Sequence, residues 1–253
     1  TNYSNIEIKA GGLNHLSILI DAKYKDTKKD GYPIIHKKFK KFYSELINEH
    51  EGYPSKPGAE RGVFFELYYK YGYLPITTDS HLGEYIQWAY NVADHKAIIE
   101  FYNNYKKRCL SFYNNDTAYS KFFDPKNKKM NERIVPIIEA IINDENVEES
   151  AVNIPNQNFI DSVPDNIVVE VPCILNKKGI NGLKLNNYPI SFGLLLNNQV
   201  GTIKLTTEAI LKKSKHLAYL AMIADPIVDD SKKAEKLLDT MINYQNEYLG
   251  YLK

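Results

Sequence analysis

Two stretches of alternating apolar residues limit what this chain can fold into. Residues 6–24, IEIKAGGLNHLSILIDAKY, alternate around a glycine pair, and residues 168–175 alternate in the same way. A period of two is typical of a β-strand. The first stretch therefore predicts two strands with a turn at Gly11-Gly12, where glycine permits one. The second predicts a strand that turns at KKG into a returning strand.

Most other apolar residues recur at helical spacing. The spacing predicts helices over KKFKKFYSELINEH, VFFELYYKYG, ERIVPIIEAIIND and most of the chain from residue 190 onward. Thr77 to Ser80 offer an N-cap, from which we expect one helix to run to about residue 112. The chain contains no internal repeat. We predict one α+β domain over residues 1–253, mostly helical, with a small mixed β-layer.

The composition of the chain argues against nucleic-acid binding and against a membrane span. The formal charge is only +1, and the basic runs at 36–42 and 123–133 are interpreted as a solvated helix face and a charged loop. We therefore expect no nucleic-acid partner. No window of eighteen uninterrupted apolar residues occurs, so no membrane span is expected. Cys109 and Cys173 form no CxxC pair, which indicates a reducing, cytoplasmic location with both thiols buried.

Two motifs carry side chains suited to chemistry. In GGLNHL, residues 11–16, Asn14 and His15 place an amide beside an imidazole. In ITTDSHLGEYIQWA, residues 76–89, the expected helix puts three side chains on one face and an acid beside them: His81, Tyr85 and Trp88, with Glu84. A histidine on such a face is more often structural than functional, so these motifs by themselves leave both interpretations open.

Other conspicuous residues have structural interpretations. Asn153 and Asn156 in NIPN are predicted to form turns rather than to bind a ligand. Glu170 is predicted to be a half-buried strand residue with a local partner. Trp88 and Tyr90 are interpreted as core residues, although a role in the site is the alternative for both.

Four ordered segments resemble the C-terminal part of family 4 glycoside hydrolases, which are NAD- and metal-dependent α-glucosidases, α-galactosidases and 6-phospho-glycosidases. These segments are GGLNH, GYLPITTDSHLGEYIQWA, the region from ERIVPIIEAIIND to VEVPCIL, and NNQVGTIKLTTEAIL with HLAYLAMIADPIVDD. The resemblance covers nearly the whole chain. The family's N-terminal Rossmann domain has a glycine-rich dinucleotide loop and a Cys-Asn-Pro motif, and neither occurs in these 253 residues. We therefore expect a domain that lacks the Rossmann half and is inactive without it.

The resemblance implies redox-assisted elimination, since NAD-dependent family 4 enzymes are exceptions to the two-carboxylate route of most glycosidases. NAD⁺ would oxidise C3 of the sugar, and a base would then remove the C2 proton. The bond from C1 to the leaving oxygen would break, water would add, and the hydride would return from NADH to C3. A divalent metal such as Mn²⁺ would stabilise the negative charge that develops.

The resemblance also implies roles for particular residues. His15 would ligate the metal, and Asn14 would hydrogen-bond a sugar hydroxyl. Tyr85 would be the base at C2, although a phenol with an ordinary pKa of about 10 needs a nearby cation to ionise. His81 and Glu84 would hold the glycone. Because TDSH shows no basic cluster for a phosphate, a non-phosphorylated α-hexoside or uronide is expected first and a phospho-glycoside second.

A non-catalytic module is the alternative function. A sugar-binding or oligomerisation domain could keep this fold without turning over a substrate. The side chains retained for chemistry favour the enzyme, whereas the missing nucleotide loop favours the module if the chain is complete. In either case we expect a homo-oligomer, and for the enzyme a partnership with the N-terminal Rossmann half.

Overall fold

A six-stranded sheet forms the β-layer of the protein. The computed structural model describes residues 5–48, 60–114 and 133–252, without the side chains of 42–48. The strands are β1 (Ile6–Leu13), β2 (Leu16–Tyr24), β3 (Leu74–Pro75), β4 (Val147–Pro155), β5 (Val168–Asn176) and β6 (Gly179–Gly182). Their order is β3-β2-β1-β5-β4, and β6 pairs with the second half of β5. Every strand pair in the described residues is antiparallel. The sheet therefore differs from the predicted layer, which was mixed.

Helices make up most of the other described residues, which confirms the predicted fold class. They are α1 (Tyr32–Asn48), α2 (Gly62–Tyr71), α3 (Asp79–Leu82), a 3₁₀ helix (Gln87–Asn91), α4 (His95–Tyr113), α5 (Ile134–Ile142), α6 (Ile190–Asn197), α7 (Val200–Lys212), α8 (Lys215–Ala224), α9 (Ser231–Tyr244) and α10 (Asn246–Leu249). Gly72 ends α2 in the left-handed conformation with φ 78°, as its position predicts. None of the helices described here combines the length and apolar content needed to cross a bilayer. The predicted charged loop at 123–133 lies outside the described residues, apart from Arg133.

The single helix predicted from Thr77 to about residue 112 is wrong. α3 ends after four residues, and the chain then passes through a turn and the 3₁₀ helix before α4 begins. Asp94 starts α4 because its side chain accepts a hydrogen bond from Ala97 N at 3.0 Å. Leu82, Ile86 and Ala89 are all buried without being on one helix, so the burial of this segment does not require a continuous helix.

The predicted turn at Gly11-Gly12 is also displaced. Both glycines lie inside β1, and the hairpin turns at Asn14-His15, where His15 has a φ of 68°. A Cβ on Gly12 would overlap the carbonyl oxygen of Leu16 and come within 2.7 Å of Ser17 Cα. Glycine is therefore required at Gly12 for close approach of the two strands rather than for a turn.

The main core joins the sheet to the helices that follow it. It is built from the inner face of the sheet, α2, α3, α6 and the loops between them, with these buried residues: Leu13, Leu16, Ile18, Val63, Leu67, Leu82, Ile86, Ala89, Ile160, Val163, Ile167, Val169, Val171, Leu185, Phe192 and Leu196. Farther along β5, Cys173 and Leu175 pack against Ala140 of α5.

Three residues test the predicted burial. Cys173 is buried as expected, whereas Cys109 is only half-buried on α4. Tyr90 is 76% exposed and is not a core residue. Its ring lies beside His95 instead, with ring centroids 4.6 Å apart.

The close approach at Gly12 generates a prediction. Gly12→Ala should destabilise the protein, because the new methyl group would meet backbone atoms of the same hairpin, which cannot move away cheaply. Urea denaturation should show a free energy of unfolding lower by about 1–3 kcal/mol, the usual cost of overpacking.

Gly201→Ala is the matched control. Its added Cβ would come no closer than 3.9 Å to Ala224, so only helix propensity changes, and this favours alanine by up to about 1 kcal/mol. Equal stability of Gly12→Ala and the wild-type protein would contradict the assigned role of Gly12.

Candidate functional site

Two histidines and a glutamate from separate parts of the chain meet at one point on the surface. Potential ligand atoms of His15, His81 and Glu84 all lie within 4.8 Å of one another. Glu84 Oε2 is 3.7 Å from Nδ1 of His15, and Glu84 Oε1 is 4.0 Å from Nδ1 of His81. The two imidazole rings are in contact, with centroids 4.1 Å apart. The structure thus brings together three residues that were singled out from the sequence.

His15 reaches this point from the turn between β1 and β2. Its positive φ of 68° places it in a backbone conformation that few non-glycine residues adopt. Thr77 Oγ1 donates a hydrogen bond to the carbonyl oxygen of His15 at 2.7 Å. This bond ties the hairpin turn to the segment that carries His81 and Glu84.

That segment is anchored by the buried carboxylate of Asp79. Oδ2 accepts hydrogen bonds from Gly62 N at 2.7 Å and Asp94 N at 3.0 Å, and Oδ1 accepts one from Phe64 N at 3.1 Å. Burial raises the pKa of Asp79, while these backbone donors favour its charged form. One side chain therefore links the starts of α2, α3 and α4.

A second buried carboxylate, Glu60, strengthens the anchor. Its Oε2 accepts a hydrogen bond from Ser80 N at 3.0 Å, and its carbonyl oxygen accepts one from Asp79 N at 3.1 Å. Sequence reasoning missed both Glu60 and Asp79 as site-forming residues. The polar cluster TTDS within an otherwise apolar region was the signal that could have revealed Asp79, and no comparable signal marks Glu60.

The donor set at this point fits a divalent transition metal. Two imidazoles and one carboxylate are ligands that Mn²⁺ and related ions accept. Nδ1 of His81 is buried and has no hydrogen-bond partner, so a bound cation would supply the interaction it lacks. Among the described residues, the ion pairs of Glu84 are with His15 and His81 only. Neither cysteine of the chain belongs to this cluster.

Glu170 adds a further carboxylate close to the hairpin. It is half-buried on β5 and pairs in register with Gly12, and Ser17 Oγ donates to its Oε1 at 3.2 Å. These contacts confirm the prediction of a half-buried strand residue with a local partner. Burial raises the pKa of Glu170, while the Ser17 hydrogen bond and the nearby imidazole of His15 lower it.

Tyr85 is placed differently from the expectation of a shared helix face. Because the helix is broken, Tyr85 and Trp88 pack against the main core, while His81 contacts His15. Burial raises the pKa of the Tyr85 phenol, and the charges of Glu84 and Asp225 raise it further. The role of Tyr85 as a base stays a prediction, and it requires a cation that reverses this shift.

The remaining candidates are three asparagines. Asn14 is exposed in the hairpin turn beside His15, where a ligand can reach its amide. Asn156 is fully buried and forms the predicted turn, since its Oδ1 accepts from Phe159 N at 2.9 Å and its Nδ2 donates to the carbonyl oxygen of Val163 at 2.6 Å. The prediction of a turn at Asn153 is wrong, because Asn153 lies in β4.

Comparisons with known proteins agree on one family. The family described as "Family 4 glycosyl hydrolase C-terminal domain" matches residues 10–228. An "Alpha-glucosidase" of Erwinia rhapontici is 37% identical, and the alignment covers 100% of this chain and 59% of the relative. An "Alpha-galacturonidase" of Thermoanaerobacterium saccharolyticum is 27% identical over 96% of this chain and 54% of the relative.

Solved structures show the same fold. A 6-phospho-α-glucosidase from gut microorganisms, in complex with NAD and Mn²⁺, matches with a TM-score of 0.71 at 21% identity, over 100% of this chain and 58% of that one. A 6-phospho-β-glucosidase of Thermotoga maritima, with manganese, NAD⁺ and glucose-6-phosphate, matches with a TM-score of 0.63 at 22% identity, over 96% and 54%. The chain thus spans between half and three fifths of the length of these relatives.

The Asp79 anchor generates a prediction about the site. Asp79→Ala removes the acceptor for three backbone N–H groups, each of which costs about 1–3 kcal/mol when left buried and unsatisfied. We expect the free energy of unfolding, measured by urea denaturation, to fall by about 3 kcal/mol.

The matched control is Asp229→Ala, because Asp229 is exposed. Surface substitutions of this kind change stability by about 0.5 kcal/mol or less. If Asp79→Ala unfolded at the same urea concentration as Asp229→Ala, the anchoring role of the buried carboxylate would be wrong.

Proposed function

Because this chain belongs to family 4 of the glycosyl hydrolases, we propose that it is the substrate- and metal-binding part of a glycosidase that uses NAD and a divalent metal. The observation that carries the proposal is the meeting of His15, His81 and Glu84 beside an exposed Asn14. Relatives solved with NAD and manganese support the choice of cofactors. NAD would be bound mainly by a Rossmann half outside these residues.

In the proposed reaction, NAD and the metal, when bound, supply oxidation at C3 of the sugar and stabilisation of the negative charge that follows. Side chains of this chain bind the metal and orient the sugar. His15 binds the metal through a neutral imidazole, and Asn14 accepts from or donates to a sugar hydroxyl. Tyr85 takes the proton from C2 before the bond to the leaving group breaks. We propose that His81 and Glu84, which lie beside His15, hold the glycone.

The charges around the cluster favour a substrate without a phosphate group. The nearest carboxylates are Glu84 and Glu170, and among the described residues no lysine or arginine forms an ion pair with either. A phosphate group therefore has no paired lysine or arginine here to bind it, whereas phosphate sites commonly use such a cation. We therefore propose an α-hexoside or an α-uronide, which agrees with the α-glucosidase and α-galacturonidase among the relatives.

Two further properties belong to the same proposal. The low cysteine content is consistent with a cytoplasmic enzyme. Exposed apolar residues such as Ile134, Ile138 and Ile142 of α5 are consistent with self-association into a homo-oligomer.

The proposed function is tested by supplying the missing half. We expect the 253-residue chain alone to hydrolyse no α-glycoside, since it contains no dinucleotide loop. Mixed or fused with the N-terminal part of the Erwinia rhapontici relative, it should release the leaving group from an α-glucoside or α-galacturonide. Turnover should require both NAD⁺ and Mn²⁺, and His15→Ala should abolish it.

His216→Ala on α8 is the control for the loss of a histidine, and it should retain turnover. Hydrolysis by the 253-residue chain alone would contradict the redox mechanism and point to a carboxylate mechanism. A reconstituted protein that binds the sugar but never turns it over would instead favour a non-catalytic sugar-binding module.

The base at C2 is tested separately in the reconstituted protein. Tyr85→Phe should slow exchange of the C2 hydrogen with deuterated solvent by about 10²–10⁴-fold, the usual contribution of a general base. Mass spectrometry of recovered substrate measures the exchange. Tyr90→Phe is the control, because Tyr90 is 76% exposed. Exchange at the wild-type rate in Tyr85→Phe would transfer the role to another residue, with His81 as the next candidate.

A further inference from the structure

We propose that Gln199 is a positioning residue for Tyr85, and that it holds the turn that carries this tyrosine in place for removal of the C2 proton. The inference rests on the proposed function for the role of Tyr85 as the base. It goes beyond that function by assigning a task to a residue of the C-terminal helices, 114 positions later in the chain.

The break between α3 and the 3₁₀ helix changes the hydrogen bonding of the Tyr85 carbonyl oxygen. In a continuous helix, Ala89 N would donate to this oxygen. Ala89 N instead donates to the carbonyl oxygen of Ile86 at 3.0 Å. A carbonyl at such a break needs another donor, because an unpaired backbone group that is withdrawn from water costs free energy.

The side chain of Gln199 supplies that donor. Its Nε2 donates to the carbonyl oxygen of Tyr85 at 3.2 Å. Gln199 is 3% exposed, although glutamine is usually a surface residue. The sequence contains four glutamines, and the other three are exposed: Gln87, Gln157 and Gln245. The burial of Gln199 with its amide on this carbonyl therefore indicates a specific structural task.

The backbone of Gln199 is itself fixed, so its side chain extends from a defined point. Gln199 lies between α6 and α7. Its N–H donates to the carbonyl oxygen of Leu196 at 3.0 Å, and its carbonyl oxygen accepts from Ile203 N at 3.0 Å. Leu196 is fully buried in the main core. The hydrogen bond from Gln199 thus connects the turn at Tyr85 to a rigid part of the fold.

The turn at residues 83–86 has long local hydrogen bonds. Tyr85 N donates to the carbonyl oxygen of Leu82 at 3.3 Å, and Glu84 N donates to that of His81 at 3.2 Å. Both are longer than the common N–H···O distance of about 2.9–3.0 Å. The placement of Tyr85 therefore depends on tertiary contacts such as the one from Gln199. A base must lie within hydrogen-bond reach of the proton that it removes, so this placement determines the rate.

The test compares Gln199→Met with the wild type in the reconstituted protein. Methionine has nearly the length of glutamine but no N–H donor, so the variant loses the hydrogen bond and keeps most of the packing. Exchange of the C2 hydrogen with deuterated solvent at saturating sugar should slow by about 10- to 100-fold, the cost of a displacement of about 1 Å. The sugar concentration that gives half-maximal exchange should stay unchanged, because the proposed sugar contacts Asn14, His81 and Glu84 are retained.

Gln245→Met is the matched control. Gln245 is exposed after the end of α9, so this variant should exchange the C2 hydrogen at the wild-type rate. Wild-type exchange in Gln199→Met would overturn the proposal. A higher half-maximal sugar concentration with an unchanged maximal rate would overturn it too, because that result indicates a role in sugar binding.

A second measurement uses the wild-type 253-residue chain and therefore does not depend on the folding of a variant. Labelling with ¹⁵N-glutamine limits the side-chain amide signals in the NMR spectrum to four residues. We expect the Gln199 amide to show a nuclear Overhauser contact with the N–H of Ile86, which belongs to the same peptide group as the Tyr85 carbonyl. Absence of this contact would overturn the proposal.

These failures are distinguishable from failure of the glycosidase proposal. If Gln199→Met exchanges the C2 hydrogen at the wild-type rate and Tyr85→Phe does not, Tyr85 remains the base and the positioning role is wrong. If the reconstituted wild-type protein shows no exchange and no turnover although the Gln199 amide contacts Ile86, the hydrogen bond remains. The proposed reaction is then wrong, and the positioning role is wrong with it.

Discussion

The hydrogen bonds to the carboxylate of Asp79 hold the site together. Asp79 is 1% exposed, and its carboxylate accepts hydrogen bonds from the backbone N–H groups of Gly62, Phe64 and Asp94. These donors belong to the start of α2 and the residue that caps α4, while Asp79 itself opens α3. A buried carboxylate is tolerated only when its hydrogen bonds are satisfied, so the three segments are constrained to one arrangement.

The second constraint is the close approach of backbones around Gly12. β1 pairs with β5 at Gly12 and Glu170, and a Cβ on Gly12 would overlap the backbone of its own hairpin. The tight hairpin then turns through His15 in a left-handed conformation. Together, the hairpin and the Asp79 anchor bring His15 next to His81, 66 residues away in the sequence, with ring centroids at 4.1 Å.

The arrangement supports our proposal that this chain carries ligands for a metal and a sugar. Ligand sites are common between domains, and this chain covers 59% and 54% of the length of the two curated relatives named above, so we propose that the NAD-binding half completes the site. The family match supports the class of reaction that we propose. In our proposal, the absence of a lysine or arginine paired with Glu84 or Glu170 among the described residues favours a sugar without a phosphate group.

The sequence by itself determined the fold class, most of the helices and strands, and the candidate residues of the site. Local signals were sufficient there, because alternation along Val168–Asn176, the helix stop at Gly72 and the side chains of GGLNH act over a few residues. The tertiary structure decided the turn at His15, the break between α3 and α4, and the burial of Asp79 and Glu60. In each case a long-range contact prevails over local spacing: Leu82 and Ile86 are buried at helical spacing although the segment that joins them is not helical. Backbone hydrogen bonds between distant segments determine which side chains meet at the site. No local sequence pattern encodes these hydrogen bonds.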